Sequence, residues 1–123
     1  INYGIIKKMK SGTVFSQGDI LIVPFPFSDL TSIRQRPVLV LSKKEYNKRC
    51  EDILTCGITS NLKDNIYSVL IDNSNLLEGI IPKKSRIKVD KLFTLNTSII
   101  IKKIARINKT TFDKVRKGFL SLI

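Results

Sequence analysis

The chain has no histidine and no tryptophan, two cysteines, and ten acidic residues against twenty-two lysines and arginines. The missing imidazole removes the side chain whose unperturbed pKa best suits proton transfer near neutrality, so any catalysis must use other groups. With only Cys50 and Cys56 and no histidine, a zinc site of ordinary composition is out of reach. Both thiols are expected in the reduced state. No stretch approaches the roughly 20 apolar residues of a membrane-spanning helix, and the start INYGIIKKMK has no uninterrupted apolar core of the kind a secretory signal needs. The expectation is a cytoplasmic protein with no membrane partner. There is also no repeat, no low-complexity tract and no glycine-rich phosphate loop.

What remains is the composition of one folded domain: 123 residues, 42% apolar and 26% charged. The formal net charge is +12, which makes a polyanion the default partner. The excess is clustered. Between Lys83 and Lys117 twelve basic residues face only Asp90 and Asp113, so +10 of the +12 lies in that segment. Clustering of this kind fits an electrostatic footprint for phosphates; the plainer alternative is a solubilising surface.

Along the chain, residues 1–17 read as an N-terminal extension and residues 18–123 as a single domain. GDILIVPFPF predicts a β-branched strand from Asp19 to Val23 that exits through Pro24 and Pro26. Residues 27–37 read as a loop, 37–42 as a second apolar run, and KKEYNKRCED as room for one helical turn. Further runs at 53–58, 66–71, 86–92 and 98–107 are separated by turn-forming stretches such as SNLKDN, DNSNLLEG and TLN. Short strands at this spacing predict a small antiparallel sheet or barrel. In the run from Arg86 to Leu92, Ile87 and Val89 share an inward face, with Lys91 on the same parity, while Arg86, Lys88 and Asp90 face outward. After Asn108 the period changes. Phe112, Val115, Phe119, Leu120 and Ile123 predict an amphipathic helix with Asn108 or Thr110 as its cap.

The residue types available for chemistry are Arg, Lys, Thr, Ser, Tyr, Asp and Glu. Without a serine or cysteine nucleophile beside a base, hydrolysis of an external ester or amide has little support. RNA differs, because its 2′-hydroxyl is an internal nucleophile next to the scissile phosphate. The protein then has to position the chain, stabilise charge on phosphorus and help protons move. Arg36, with its fork of donors, and the hydroxyls of Thr59 and Ser60 are the natural candidates, each expected at a strand end or loop.

The blocks GDI at Gly18, FPFSDL at Phe25, RPVLVLS at Arg36, CGITSN at Cys56 and SRIKVDKLFTL at Ser85, followed by the final helix, resemble the MazF/PemK toxins of bacterial type II toxin–antitoxin systems. The resemblance implies a mainly β fold with a C-terminal helix, an SH3-like small β-barrel of the CcdB/MazF/PemK type. It also implies a homodimer, an acidic antitoxin, contact with DNA only through the toxin–antitoxin complex, and cleavage of single-stranded RNA at short sequences without metal or other cofactor. Arg36 and Thr59 match the family's usual catalytic pair, and Ser60 a second hydroxyl. Lys88 and Asp90 fall in supporting roles, and Arg34, Gln35, Arg86 and Lys91 complete the candidate RNA-binding set. The family often has arginine where Lys88 stands, and the catalytic histidine of some members has no counterpart, so the general base stays open.

Plainer roles stand beside these. Arg36 could cap a strand or pair with Asp29, Thr59 could satisfy a turn, Lys88 and Asp90 could be an exposed pair of little consequence, and Gly18–Asp19 could be a tight turn. The competing functions are a non-catalytic poison of DNA gyrase like CcdB and a plain RNA-binding barrel.

Overall fold

The computed structural model describes residues 13–26 and 33–123. Residues 1–12 and 27–32, Asp29 among them, lie outside these. The described residues hold seven strands, six on the predicted runs and one, β5, outside them: β1 (Asp19–Pro26), β2 (Ile33–Val40), β3 (Asp52–Thr59), β4 (Ser68–Ile71), β5 (Leu76–Gly79), β6 (Ser85–Asn96) and β7 (Lys102–Ile107). A short helix α1 (Lys44–Arg49) follows β2, and α2 (Lys109–Leu120) closes the chain. The strands make one antiparallel sheet in the order β4-β6-β3-β2-β1-β7-β5.

Its two edge strands, β4 and β5, are consecutive in the chain and joined by one turn of 3-10 helix at Asn73–Asn75, so the sheet has to curl until its edges approach. Asp72 caps that turn, accepting from the Ser74 amide at 2.8 Å. The expected small-barrel architecture with a C-terminal helix is therefore what is seen, as a curled half-barrel. One core cluster holds Ile20, Leu39, Cys56, Ile58, Ile87 and Val89 under Phe112 and Val115 of α2; a second, built on Leu21, Val23, Val38, Val40 and Ile53, fills the other face. Both faces are covered, which is why the strands read as apolar runs more than as clean alternations.

Several boundaries differ from expectation. β1 runs on through Pro24 and Pro26. The Ile22 carbonyl accepts from the Ile101 amide, so backbone groups at this parity point toward β7, whose pairing with β1 stops at Ile22. The prolines continue that parity beside an unpaired edge, where a missing N–H costs no ladder bond. β2 starts at Ile33, so Arg36 and Pro37 sit inside a strand and not in a loop. The stretch DNSNLLEG, expected as a turn, contains β5, and β6 reaches Asn96.

The helix is capped by Asn108, whose side chain accepts from the Thr111 amide at 2.9 Å, but Leu120 and Ile123 are exposed, and it is Leu122, just past the helix, that packs on the first core cluster. Residues just before β1 are fastened to the domain: Phe15 packs on the second cluster, its carbonyl accepts from the buried Asn47 amide group at 2.8 Å, and Gln17 donates to the Leu41 carbonyl at 3.0 Å. Gly18, at φ +90°, makes the turn that returns the Asp19 amide to the Ser16 carbonyl.

Candidate functional site

Antiparallel pairing places directly opposed side chains on the same face. Thr59 pairs with Arg86, and Arg86 in turn with Leu70 of β4. On the other side, Val38 of β2 pairs with Gly57 of β3, where that ladder ends; two residues further along each strand, Arg36 and Thr59 lie on the same face as that pair. Arg36 itself pairs with Val23 of β1. Arg36, Thr59 and Arg86 thus share one face of β2, β3 and β6, at the end of the second core cluster where Val23 and Val38 give way to polar side chains. All three are half-buried.

Thr59 ends β3, and its hydroxyl oxygen accepts from the Asn61 amide at 3.1 Å. The turn-satisfying role is therefore present, and it leaves the hydroxyl hydrogen to be donated elsewhere. Arg86 is held by the loop between β3 and β4: its Nε donates to the Leu62 carbonyl at 2.7 Å and a terminal nitrogen to the Ser68 hydroxyl at 3.3 Å. Arg34 stands on the same face as Arg36, one pair further out against Phe25, and is exposed. Gln35 alternates to the opposite face, so strand pleating separates it from that set. Ser60 is exposed just past the strand end.

Lys88 departs from expectation. Outward parity predicted exposure, but the β3–β4 loop, residues 60–67, folds over this part of the sheet and buries it to 3% exposure. Its ammonium donates to Asp64 at 2.7 Å and to the Ile66 carbonyl, with Asp90 at 3.6 Å. The pair with Asp90 is accordingly buried at its lysine end alone. Asp90 and Lys91 are exposed in a bulge: Gly57 opposes Lys88 while Cys56 opposes Leu92, so three residues of β6 have no partner on β3.

Nor is the basic cluster a single surface. Lys103 and Arg106 turn to the buried carboxylate of Asp19, at 3.3 and 2.6 Å, and to Glu78. Lys83, Lys84, Lys91, Lys102, Lys109, Lys114, Arg116 and Lys117 stay exposed. Sequence reasoning passed over Asp64 and Asn61, which carry the loop's hydrogen bonds; the only available signal was that SNLKDN is rich in residues that bond their own backbone.

Cys56 is fully buried in the first core cluster. Burial, with Asp90 nearby, pushes its thiol up to about 12, and both cysteines are free thiols. A groove of about 200 Å³ lies between α2 and the β2 and β3 region, lined by Gln17, Leu41, Leu54, Phe112, Arg116 and Phe119, and includes none of the candidate residues. No described helix is long and apolar enough to cross a membrane.

The family model for PemK-like, MazF-like toxins of type II toxin–antitoxin systems matches residues 16–123. The chain belongs to that family. No curated protein matches the toxin chain by sequence. Among solved structures it is similar to MazE-MazF from Deinococcus radiodurans, with a TM-score of 0.72, 20% identity, and 89% of this chain and 96% of that one covered. An endoribonuclease in complex with its cognate antitoxin, from a mycobacterial species, aligns with a TM-score of 0.71 at 14% identity, over 87% of this toxin and 92% of that chain. A MazF toxin of Mycobacterium tuberculosis gives 0.66 at 17% identity, over 84% and 93%. These likenesses establish the fold.

Proposed function

We propose that this toxin is a sequence-specific endoribonuclease that cuts single-stranded RNA without a metal ion. The observation that carries the reading is the set of Arg36, Thr59 and Arg86 on one face of three neighbouring strands, two cations flanking a hydroxyl whose hydrogen is available. In this reading the substrate's 2′-oxygen bonds to phosphorus as the bond to the 5′-oxygen breaks, leaving a 2′,3′-cyclic phosphate and a 5′-hydroxyl. Arg36 meets the charge that builds on the non-bridging oxygens, and Thr59 donates to one of them. Arg86 supplies a second positive charge, while Arg34, Ser60, Asp90 and Lys91 border the path of the strand; Gln35, on the opposite face, does not.

The reading is supported by the family assignment and by the structural likeness to a protein described as an endoribonuclease bound to its cognate antitoxin. An acidic antitoxin, a homodimeric toxin, DNA contact only through the toxin–antitoxin complex, and a cytoplasmic site of action belong to the same proposal.

Primer extension on a long RNA treated with the purified toxin tests it. Discrete stops should persist in excess EDTA, and replacing the 2′-hydroxyl at a mapped cut with hydrogen should abolish cleavage. Arg36→Ala should lose about 100- to 1,000-fold in rate, the usual consequence of removing one preorganised donor to developing charge. Arg36→Lys should restore only part of it, since a point charge lacks the bidentate fork. Binding of RNA without stops would reject the reading in favour of a plain RNA-binding barrel.

A further inference from the structure

A buried lysine with three oxygens around it, at the end of a hydrogen-bonded path that reaches Thr59, asks for a role that surface charge does not explain. The path can be followed atom by atom. The Lys88 ammonium holds the Asp64 carboxylate at 2.7 Å and the Ile66 carbonyl. The Asp64 amide donates to the Asn61 carbonyl at 3.2 Å, and the Asn61 side chain accepts from the Lys63 amide at 3.1 Å. The Asn61 amide then donates to the Thr59 hydroxyl at 3.1 Å. Arg86, through the Leu62 carbonyl, fastens the same loop from the neighbouring position of β6.

The segment so held ends at Tyr67, whose φ of +47° is uncommon for a side chain of that size, and its carbonyl accepts from the Val89 amide. Leu62, Ile66 and Tyr67 point to solvent, so this loop has little apolar burial of its own to hold it. Its shape rests on the cations of β6.

We propose that Lys88 is a positioning residue: it does not touch RNA, and it fixes the β3–β4 loop so that the Asn61 amide occupies the Thr59 oxygen and turns the Thr59 hydrogen outward, toward the substrate. A threonine hydroxyl rotates freely among its acceptors, and a fixed donor to its oxygen selects the orientations in which it can donate. Removing the ammonium leaves Asp64 and the Ile66 carbonyl without their partner, frees the loop and returns Thr59 to several orientations. This inference rests on the endoribonuclease reading for its kinetic consequence, and on the geometry alone for its structural one.

The test uses the full-length toxin with Lys88→Met, Lys88→Arg, Asp64→Asn and Thr59→Val, an RNA oligonucleotide carrying a mapped cut site, and amide hydrogen exchange. Lys88→Met should lower kcat by roughly tenfold or more with KM little changed, the pattern of an interaction made in the transition state. The salt dependence of RNA affinity should stay as in the wild type, since no phosphate contact is lost. Lys88→Arg, which keeps a cationic donor in place, should regain most of the rate. Lys88→Met should add no more than about twofold in a Thr59→Val or an Asp64→Asn background, because residues on one path are not additive. The Asn61 amide should lose exchange protection in Lys88→Met, a readout that needs no activity.

The proposal is overturned if Lys88→Met cleaves like the wild type, if Asn61 protection is kept, or if losses multiply with Thr59→Val. It is equally overturned if the salt slope falls by about 0.7, the signature of one lost phosphate contact. Should Lys88→Met fail to fold, Asp64→Asn, at the half-exposed end of the pair, carries the same expectations of lower kcat and lost Asn61 protection. A wild-type toxin that does not cleave RNA rejects the endoribonuclease reading and leaves the exchange experiment to decide this one.

Discussion

Asp19 is 1% exposed and carries a charge, so its surroundings must compensate for what burial costs. They do so with three groups, two from β7 and one from the turn before β1. Arg106 Nε of β7 lies 2.6 Å from one carboxylate oxygen, Lys103 Nζ lies 3.3 Å from the same atom, and the Ser16 amide donates to the other oxygen at 2.9 Å. Asp19→Asn keeps the volume and removes the charge. Taking one partner from a buried ion pair costs about 3–5 kcal/mol when the other charge is left stranded.

Here Arg106 and Lys103 are each 29% exposed at the side chain, and Glu78 remains for both, at 2.7 Å from Lys103 and 4.0 Å from Arg106. That relief brings the expected loss to about 2–3 kcal/mol, or roughly 8–12 °C in Tm at about 4 °C per kcal/mol for a domain of this size. Thermal unfolding followed by circular dichroism, with urea midpoints as a second measure, reads it directly. In a double-mutant cycle with Arg106→Gln the two losses should overlap by about 1 kcal/mol or more, as expected of groups in contact. An Asp19→Asn protein within about 0.5 kcal/mol of the wild type, the range of ordinary surface substitutions, would refute the idea that this carboxylate ties β1 to β7.

Gly79 sits at φ +78°, where an added Cβ would stand 2.1 Å from the Ile104 carbonyl oxygen, so Gly79→Ala should cost about 3 kcal/mol or more and loosen β5. Gly57→Ala, whose new carbon would meet nothing closer than Lys91 Cβ at 3.6 Å, should change stability by no more than about 1 kcal/mol; comparable melting of the two variants would contradict the geometry. With Cys56 pushed up to about 12 by burial, a thiol reagent at pH 8 should label Cys50 in the native toxin and both cysteines only in denaturant. The Glu78 carboxyl is held below the usual carboxylate range chiefly by its hydrogen bond from Lys103, and Asp72 by the hydroxyl and amide of Ser74. The unfolded chain therefore binds more protons than the native one in the range around pH 4, so stability present above it should be lost as pH falls through it. Melting temperatures from pH 6 to pH 3 check the sign, and Ser74→Ala should flatten part of the slope.

Period and punctuation in the sequence determined most of the architecture. β-branched runs at short spacing became the sheet, the change of period after Asn108 became the helix with Asn108 as its cap, and the RPVLV and ITS blocks identified Arg36 and Thr59 as candidates. These signals are legible because they are local: a strand shows its pleat and a helix its stripe in neighbouring residues. Strand ends were harder to read, since Pro24 and Pro26 are tolerated in β1 only because β7, far along the chain, stops short of them.

The environment of each charge was likewise decided by tertiary structure alone. Alternation assigned Lys88 outward correctly, yet the β3–β4 loop covers that face and turns a surface cation into a buried anchor. Lys103 and Arg106 counted toward a phosphate footprint until the sheet brought Asp19 and Glu78 to them. A side chain's charge is written in its own codon, whereas its solvation and its partners depend on residues the chain brings together from afar.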